Sequence, residues 1–266
     1  MQRFRIMTFN IAHGRGLSPI QGLSSRRKVL ANLRRIGALL RELKPDVVAL
    51  QEIDERSRWS GNFDHLEFLR EEAGIPHGVF GINTRRAGLF NLSYGNAILS
   101  RHPIKASENI VFGQRTVGEK GFLFAEIDYH GRMLPVINLH LHHGSRVQRH
   151  AQVEKLWEWL GVKHREHHPR WLSPPIVCGD FNNPRGGSGA TEKLWAHLRA
   201  EFGDYALHPM TGRTFPSPLP GRTLDFIFLP PACCESSCEI VRAWLSDHRP
   251  VVVDFQVADA RAAKAE

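Results

Sequence analysis

Several polar residues interrupt apolar runs in places where they could do chemistry. They are Asn10 in FNIAHG, Glu52 in VALQEID, His140 in VINLHLHH, Asp180 and Asn182 in IVCGDFNNP, Asp225 in TLDFIF, and Asp247 and His248 in LSDHRP. An acid at the end of a buried strand costs free energy unless it is paired or binds a cation. One such residue is ordinarily a cap or a turn former. Six such places in one chain, all filled by Asp, Glu, Asn or His, call for a shared reason. Metal-assisted attack on a phosphoester supplies one. A hard cation such as Mg²⁺ takes oxygen ligands, commonly one or two carboxylates completed by water and phosphate. Glu52 and Asp247 suit those carboxylates and Asn10 offers a neutral oxygen; Mn²⁺ accepts the same donors. Asp180 is placed to orient or deprotonate an attacking water. Asn182, His140 and His248 supply donors for the charge that grows on phosphorus. A histidine used in this way needs a carboxylate to hold its ring, and Asp225 fits that part.

Those residues must be carried by elements that bring them together. RFRIMTF (3–9) alternates in polarity and predicts a strand. Ser24 or Ser25 caps a helix whose apolar residues, Val29 to Leu43, recur at helical spacing until Pro45. VVAL reads as a buried strand, 63–73 as a helix stopped by Gly74, and HGVFGI and YGNAILS as further strands. FLFAEIDY and MLPVINLHL form a hairpin about His130-Gly131. A helix over 146–160, a buried strand in PPIVCGD, a helix over 191–202 and strands in TLDFIFL and PVVVDFQV complete the pattern. Strands and helices interleave, but several neighbouring strands are joined by short turns. That argues for mixed sheets with helices outside rather than a plain parallel sheet. No linker or composition break divides the chain, so 1–257 is expected to be one domain, with 258–266 a fraying tail.

With 266 residues the chain can bury a sizeable core. No apolar run reaches the ~18 residues of a membrane span. The opening MQRFRIMTFN lacks the apolar stretch of a secretory signal, so a cytoplasmic location is expected. A net charge of +8 favours anionic partners without choosing among them. The four cysteines include the group CCESSC, which lacks paired CxxC spacing and a histidine set, and reads as ordinary thiols.

The stretches TFNIAHG, LQEID, YGNAILSRHPI, NLHL, CGDFNNP, TLDFIF and SDHRPVV, in this order from residue 8 to 253, resemble the endonuclease/exonuclease/phosphatase family, the group related to DNase I. Each motif is short; together, at these distances, they are specific. The resemblance implies an α/β fold, a four-layer α/β/β/α sandwich of two mixed sheets with helices outside and a metal site at one edge. It implies that Glu52 is the principal metal-binding acid, with Asn10 beside metal and phosphate. It further implies that Asp180 and Asn182 form the GDFN pair, that Asp225 orients His248 next to Asp247, and that His140 lies beside the phosphate. Some nucleases of this family carry an acid two residues after the first Asn. Here Ala12 holds that place, followed by His13, which is expected to line the pocket or cap a turn.

Three further residues are candidate substrate contacts: His143, in the loop beyond His140, and Arg85 and Arg86, whose forks suit phosphate. The expected activity is metal-dependent hydrolysis of a phosphodiester, using Mg²⁺ or Mn²⁺. The substrate class is a small molecule, a lipid headgroup or a nucleic acid. A nuclease is the alternative that the net charge favours, and a non-catalytic binding module is the second. No stable protein partner is implied, and a monomer is expected.

Overall fold

The computed structural model describes residues 3–167 and 170–258. Of the expected tail, 258–266, residues 259–266 lie outside them. Among the described residues, twelve strands form two six-stranded sheets. The first contains β1 (Arg3–Asn10), β2 (Val47–Asp54), β3 (His77–Arg86), β4 (Leu92–Ser100), β11 (Cys233–Ile240) and β12 (Val251–Val257), in the order β11-β12-β1-β2-β4-β3. The second contains β5 (Ile104–Val111), β6 (Gly121–Tyr129), β7 (Arg132–His140), β8 (Ile176–Asp180), β9 (Ala206–His208) and β10 (Asp225–Leu229), in the order β5-β6-β7-β8-β10-β9. Only β1–β2 and β7–β8 pair in parallel; the other ladders are antiparallel.

Helices cover both outer faces. α1 (Arg26–Leu43) and α2 (His65–Ala73) pack on the first sheet, burying Val29, Leu33, Ile36, Leu40 and Leu69 against Met7, Phe9, Val48 and Leu50. α3 (Arg146–His167) and α4 (Ala190–Phe202) pack on the second, with Val153, Leu156, Leu160, Leu194 and Leu198 against Ile137, Leu139, Phe226 and Phe228. Between the sheets lies a third apolar layer, including Phe4, Ile6, Ala49, Ala125, Val136, Cys178, Ile227 and Val253. The result is the expected four-layer sandwich.

The local reasons match the sequence patterns. The Ser25 side chain accepts from the Lys28 amide at the start of α1. Asp64 does the same for α2, and Gly74, at φ 62°, ends it. His130 and Gly131 both have positive φ, as a two-residue hairpin requires. Three strands lay outside the sequence reading: β5, β9 and β11. β11 contains CCESSC, and Cys233, Cys234 and Cys238 are free thiols on a strand.

Side-chain parity sets up the site. In β1, β7, β8 and β10 the residues of one parity face the inter-sheet layer: Phe4 and Ile6, Leu134 and Val136, Ile176 and Cys178, Ile227 and Leu229. Extending each series by the period of two reaches Asn10, His140, Asp180 and Asp225. All four are the last or first residue of their strands. The inter-sheet layer is therefore apolar through its middle and becomes polar at one edge. Just beneath that edge, Gln51 donates to Asn138 Oδ1 (2.7 Å) and Thr8 Oγ1 (3.0 Å), while Asn138 donates to the Leu50 and Ala97 carbonyls. These buried amides join the two sheets under the cleft.

Candidate active site

Backbone register places Asp180 at the centre. It lies opposite His140 in the parallel β7–β8 ladder and opposite Asp225 in the antiparallel β8–β10 ladder. Gly179 holds a φ of 145°, and a Cβ there would sit 1.8 Å from the Leu139 carbonyl oxygen. Only glycine allows β7 and β8 to approach so closely. The Asp180 carboxylate accepts from Asn10 Nδ2 (3.0 Å) and from the Asn182 amide (2.9 Å). Asn182 has φ 48°, a left-handed conformation that Asn tolerates, and its side-chain Nδ2 donates to the Leu141 carbonyl (2.9 Å).

Glu52 reaches the cleft by a different device. The pairing of β2 with β4 skips a residue between Gln51 and Ile53, and Glu52 has φ 51°. It is the extra residue of a β-bulge, a feature that re-aims a side chain near sites. Without the bulge its parity would send it toward the helical layer. Glu52 Oε1 lies 3.3 Å from Lys120 Nζ and 3.9 Å from His140 Nε2, and Oε2 lies 3.6 Å from His13 Nε2. Burial opposes charge on Glu52, but Lys120 and the surrounding histidines outweigh it and hold the carboxyl far below the usual range.

His248 Nδ1 contacts both oxygens of Asp225, at 3.0 and 2.9 Å, and its Nε2 lies 3.7 Å from Asp180 Oδ2. Burial disfavours the imidazolium, yet Asp225 and Asp180 more than compensate, raising its pKa to about 10. His140 goes the other way: burial, reinforced by Lys120 with Nζ 3.4 Å from Nδ1, pushes it well below the ordinary value. Burial raises Asp180 to about 6. Asp247 pairs with Arg15 Nη2, and its Oδ1 lies 3.2 Å from Ser246 Oγ. The Ser246 hydroxyl in turn donates to the Asn10 carbonyl (2.7 Å), tying the SDH segment to the end of β1.

The cleft thus brings together Asn10, Glu52, His140, Asp180, Asn182, Asp225 and His248, with Asp247 tied to it through Ser246. His143, Arg85 and Arg86 lie outside this cluster. His143 is exposed and stacked on His142, with ring centroids 5.0 Å apart. Arg85 and Arg86 are exposed at the end of β3, and Arg85 donates to Glu55 (3.3 Å). Sequence reasoning missed Lys120, which looks like any surface lysine in EKGFLF yet is buried between Glu52 and His140. His13 does line the pocket. Its Nδ1 contacts Asp54 Oδ2 (2.8 Å), Trp59 Nε1 donates to Asp54 Oδ1 (3.0 Å), and its ring packs on Trp59 and Tyr94. The Asp54 end of LQEID was the available signal.

The sequence profile of the Endonuclease/Exonuclease/phosphatase family matches residues 7–248. The chain belongs to that family. The uncharacterised protein YbhP of Escherichia coli (strain K12) is 29% identical over 268 residues, covering 96% of each chain. An endonuclease/exonuclease/phosphatase from Beutenbergia cavernae superposes with a TM-score of 0.73 at 20% identity, covering 98% of this chain and 73% of that one. Sphingomyelinase C from Streptomyces griseocarneus does so with a TM-score of 0.68 at 18% identity, covering 96% of this chain and 100% of the other. At these identities the two structures show the shared fold.

The donor set suits a hard divalent cation. It is carboxylate and amide oxygen, with no thiolate. Glu52 and Asp247 are the carboxylates open to solvent, at 24% and 28% side-chain exposure, whereas Asp180 and Asp225 are at 1% and 0%. Asp180, Asp225 and His248 also offer ligand atoms within 4.8 Å of one another. That group is already committed, because both Asp225 oxygens face His248 Nδ1. Asn10 Oδ1 accepts from the Ala12 amide (3.0 Å), which leaves one lone pair for a cation.

Proposed function

We propose that the chain is a divalent-metal-dependent phosphoester hydrolase, acting on a phosphodiester through attack by water in line with the leaving oxygen. The observation that carries this reading is the arrangement around Asp180. A buried carboxylate, raised by burial to about 6, has its Oδ2 3.5 Å from one imidazole and 3.7 Å from another, and the two rings are driven to opposite charge states.

Glu52 and Asp247, with the Asn10 oxygen, would hold Mg²⁺ or Mn²⁺. When bound, the cation would polarise a phosphoryl oxygen and offset charge in the transition state. Asp180, ionised above about pH 6 and held by Asn10 and the Asn182 amide, orients a water and takes its proton as the new P–O bond forms. The bond to the leaving oxygen breaks on the opposite side; that oxygen departs with the bonding pair and takes a proton from solvent, while Asp180 returns its own to solvent. The imidazolium of His248, with Asn182, donates to the phosphoryl oxygens as charge grows on them. Lys120 adds positive charge from the Glu52 side. A diester carries one negative charge and a monoester up to two. Since Lys120 is paired with Glu52, Arg15 with Asp247 and His248 through Nδ1 with Asp225, the positive charge of these three groups is largely offset, which favours the singly charged diester. Among the described residues, no Ser or Cys lies in a nucleophile setting in this cleft, which supports direct attack by water.

The test is hydrolysis of bis-p-nitrophenyl phosphate, p-nitrophenyl phosphate, plasmid DNA, RNA and phospholipid, each with Mg²⁺, with Mn²⁺ and after exhaustive EDTA dialysis. Diester cleavage that requires the cation is expected. Activity that survives chelation would defeat the metal assignment. Glu52→Gln should lower Mn²⁺ affinity in a direct binding titration while leaving the fold intact. Single turnover in ¹⁸O-water should place one label in the phosphate product, and a trapped phosphohistidine on His140 or His248 would refute attack by water.

A further inference from the structure

The geometry points to the catalytic edge docking on an anionic lipid surface, which makes the substrate a membrane phosphodiester. β1, β2, β7 and β8 end at that edge, while β4, β6, β10 and β12 begin there. The loops 11–25, 55–64, 87–91, 112–120, 141–145, 181–189, 209–224 and 241–250 therefore form one rim around the cleft.

The large apolar side chains left in solvent are concentrated on this rim. Leu17, Ile20 and Leu23 project from the first loop, and Leu89 and Phe90 from the β3–β4 turn. Val117, Met210, Leu219 and Trp244 follow on three further loops. Leu219 and Leu89 are 85% and 84% exposed, Phe90 65% and Trp244 62%. Among the described residues, the loops at the opposite edge carry no exposed large apolar side chain. The remaining two are Val147, in the first turn of α3, and Val162, further along that outer helix. Scattered exposed apolar residues need no explanation, but a set confined to the edge that holds the chemistry does.

Charge follows the same distribution. The rim loops hold ten Arg or Lys against four Asp or Glu. The two kinds of residue are interleaved: Arg58 stacks over Phe90 at 5.2 Å and donates to the Leu89 carbonyl, and Arg185 donates to the Met210 carbonyl. Between α1 and the 209–224 and 241–250 loops, a groove of about 940 Å³ is lined by Leu39, Leu219 and Trp244 together with Arg35, Arg242 and Arg249, against one acid, Glu42. Apolar tips among cations match the interface of an anionic bilayer, where side chains enter the acyl boundary and Arg meets lipid phosphate. Nucleic acid would use the cations but gives aliphatic tips such as Leu23, Leu89 and Leu219 nothing to bury against.

The substrate class rests on the hydrolase reading above; the docking does not. The test is co-sedimentation of the full chain with phosphatidylcholine vesicles, with and without phosphatidylglycerol, with bis-p-nitrophenyl phosphate turnover measured in parallel. Binding at least tenfold stronger to the anionic vesicles is expected. Leu89→Ser/Phe90→Ser and Leu219→Ser/Trp244→Ser should each weaken it several-fold, and the fourfold variant at least tenfold, with turnover of the soluble diester and the thermal midpoint unchanged. Val162→Ser, away from the rim, should change nothing. Equal binding to neutral vesicles, an equal loss in Val162→Ser, or retention of plasmid DNA without vesicle binding would each overturn the proposal. Vesicle binding without diester hydrolysis would instead defeat the hydrolase reading and leave the docking surface standing.

Discussion

His248 and His140 are the same residue type, both buried, and both within reach of the same oxygen, Asp180 Oδ2, at 3.7 and 3.5 Å. They are nonetheless driven to opposite charge states. The other nitrogen of His248 faces the carboxylate of Asp225, so the ring holds its proton and presents a cation to the cleft. The other nitrogen of His140 faces the ammonium of Lys120, and burial with that like charge keeps the ring neutral. The side chain turned away from the substrate thus sets what each imidazole can do on the side turned toward it.

The strongest way to break this comparison is at His248. His248→Ala should lower turnover by about 10²–10³, the usual cost of losing a donor to developing charge. Asp225→Asn should reproduce much of that defect, because it frees the ring and removes its charge partner. The double variant should be little worse than His248→Ala alone, since residues that act as one unit are non-additive. His140→Ala combined with Asp225→Asn should come closer to multiplying. Coupling of Asp225 to His140 instead would mean that the pairing is misassigned.

Lys120→Met tests the other side. Removing the ammonium should raise the His140 pKa, followed by NMR titration of its ring resonances, and lower turnover by roughly tenfold through the lost positive charge. An unmoved His140 titration would show that burial alone keeps it neutral.

A smaller effect is expected in the pH profile. The Asp180 carboxyl must be ionised to accept a proton, so kcat/KM should fall as pH drops through about 6. Asn10 donates to that carboxylate and so favours its charged form. Asn10→Ala should therefore move the acidic limb to higher pH. A shift to lower pH would contradict the hydrogen bond's assigned direction.

The mildest test lies away from the edge. Arg5 holds Asp254 through two hydrogen bonds, at 2.7 and 2.8 Å, and depresses its carboxyl pKa. Its stabilisation is present above the unfolded carboxyl pKa and is lost as pH falls through the lower folded value. Asp254→Asn should cost at most about 1 kcal/mol near neutral pH in denaturant melts, less in acid, with turnover unchanged. A change in kcat would show that charge far from the cleft also sets the state of its histidines.

Residue type and spacing were enough to read much of this protein. The main helices and most strands follow from periodicity, because burial imposes a period on each element, while the four-layer sandwich was implied by the family resemblance of the motifs. Asn10, His140, Asp180 and Asp225 were legible because each continues an inward-facing strand series to its end, where a polar residue has no ordinary reason to be. Tertiary structure decided the rest. The bulge that turns Glu52 into the cleft depends on the register of β2 against β4, across some 45 residues of chain. Lys120 carries no local signal, since what distinguishes it is the pair of partners, Glu52 and His140, brought from two other strands. The opposite charge states of the two histidines exist only once Asp225 and Lys120 stand behind them. Electrostatic interaction depends on distance and burial, and neither is defined until the two sheets have packed.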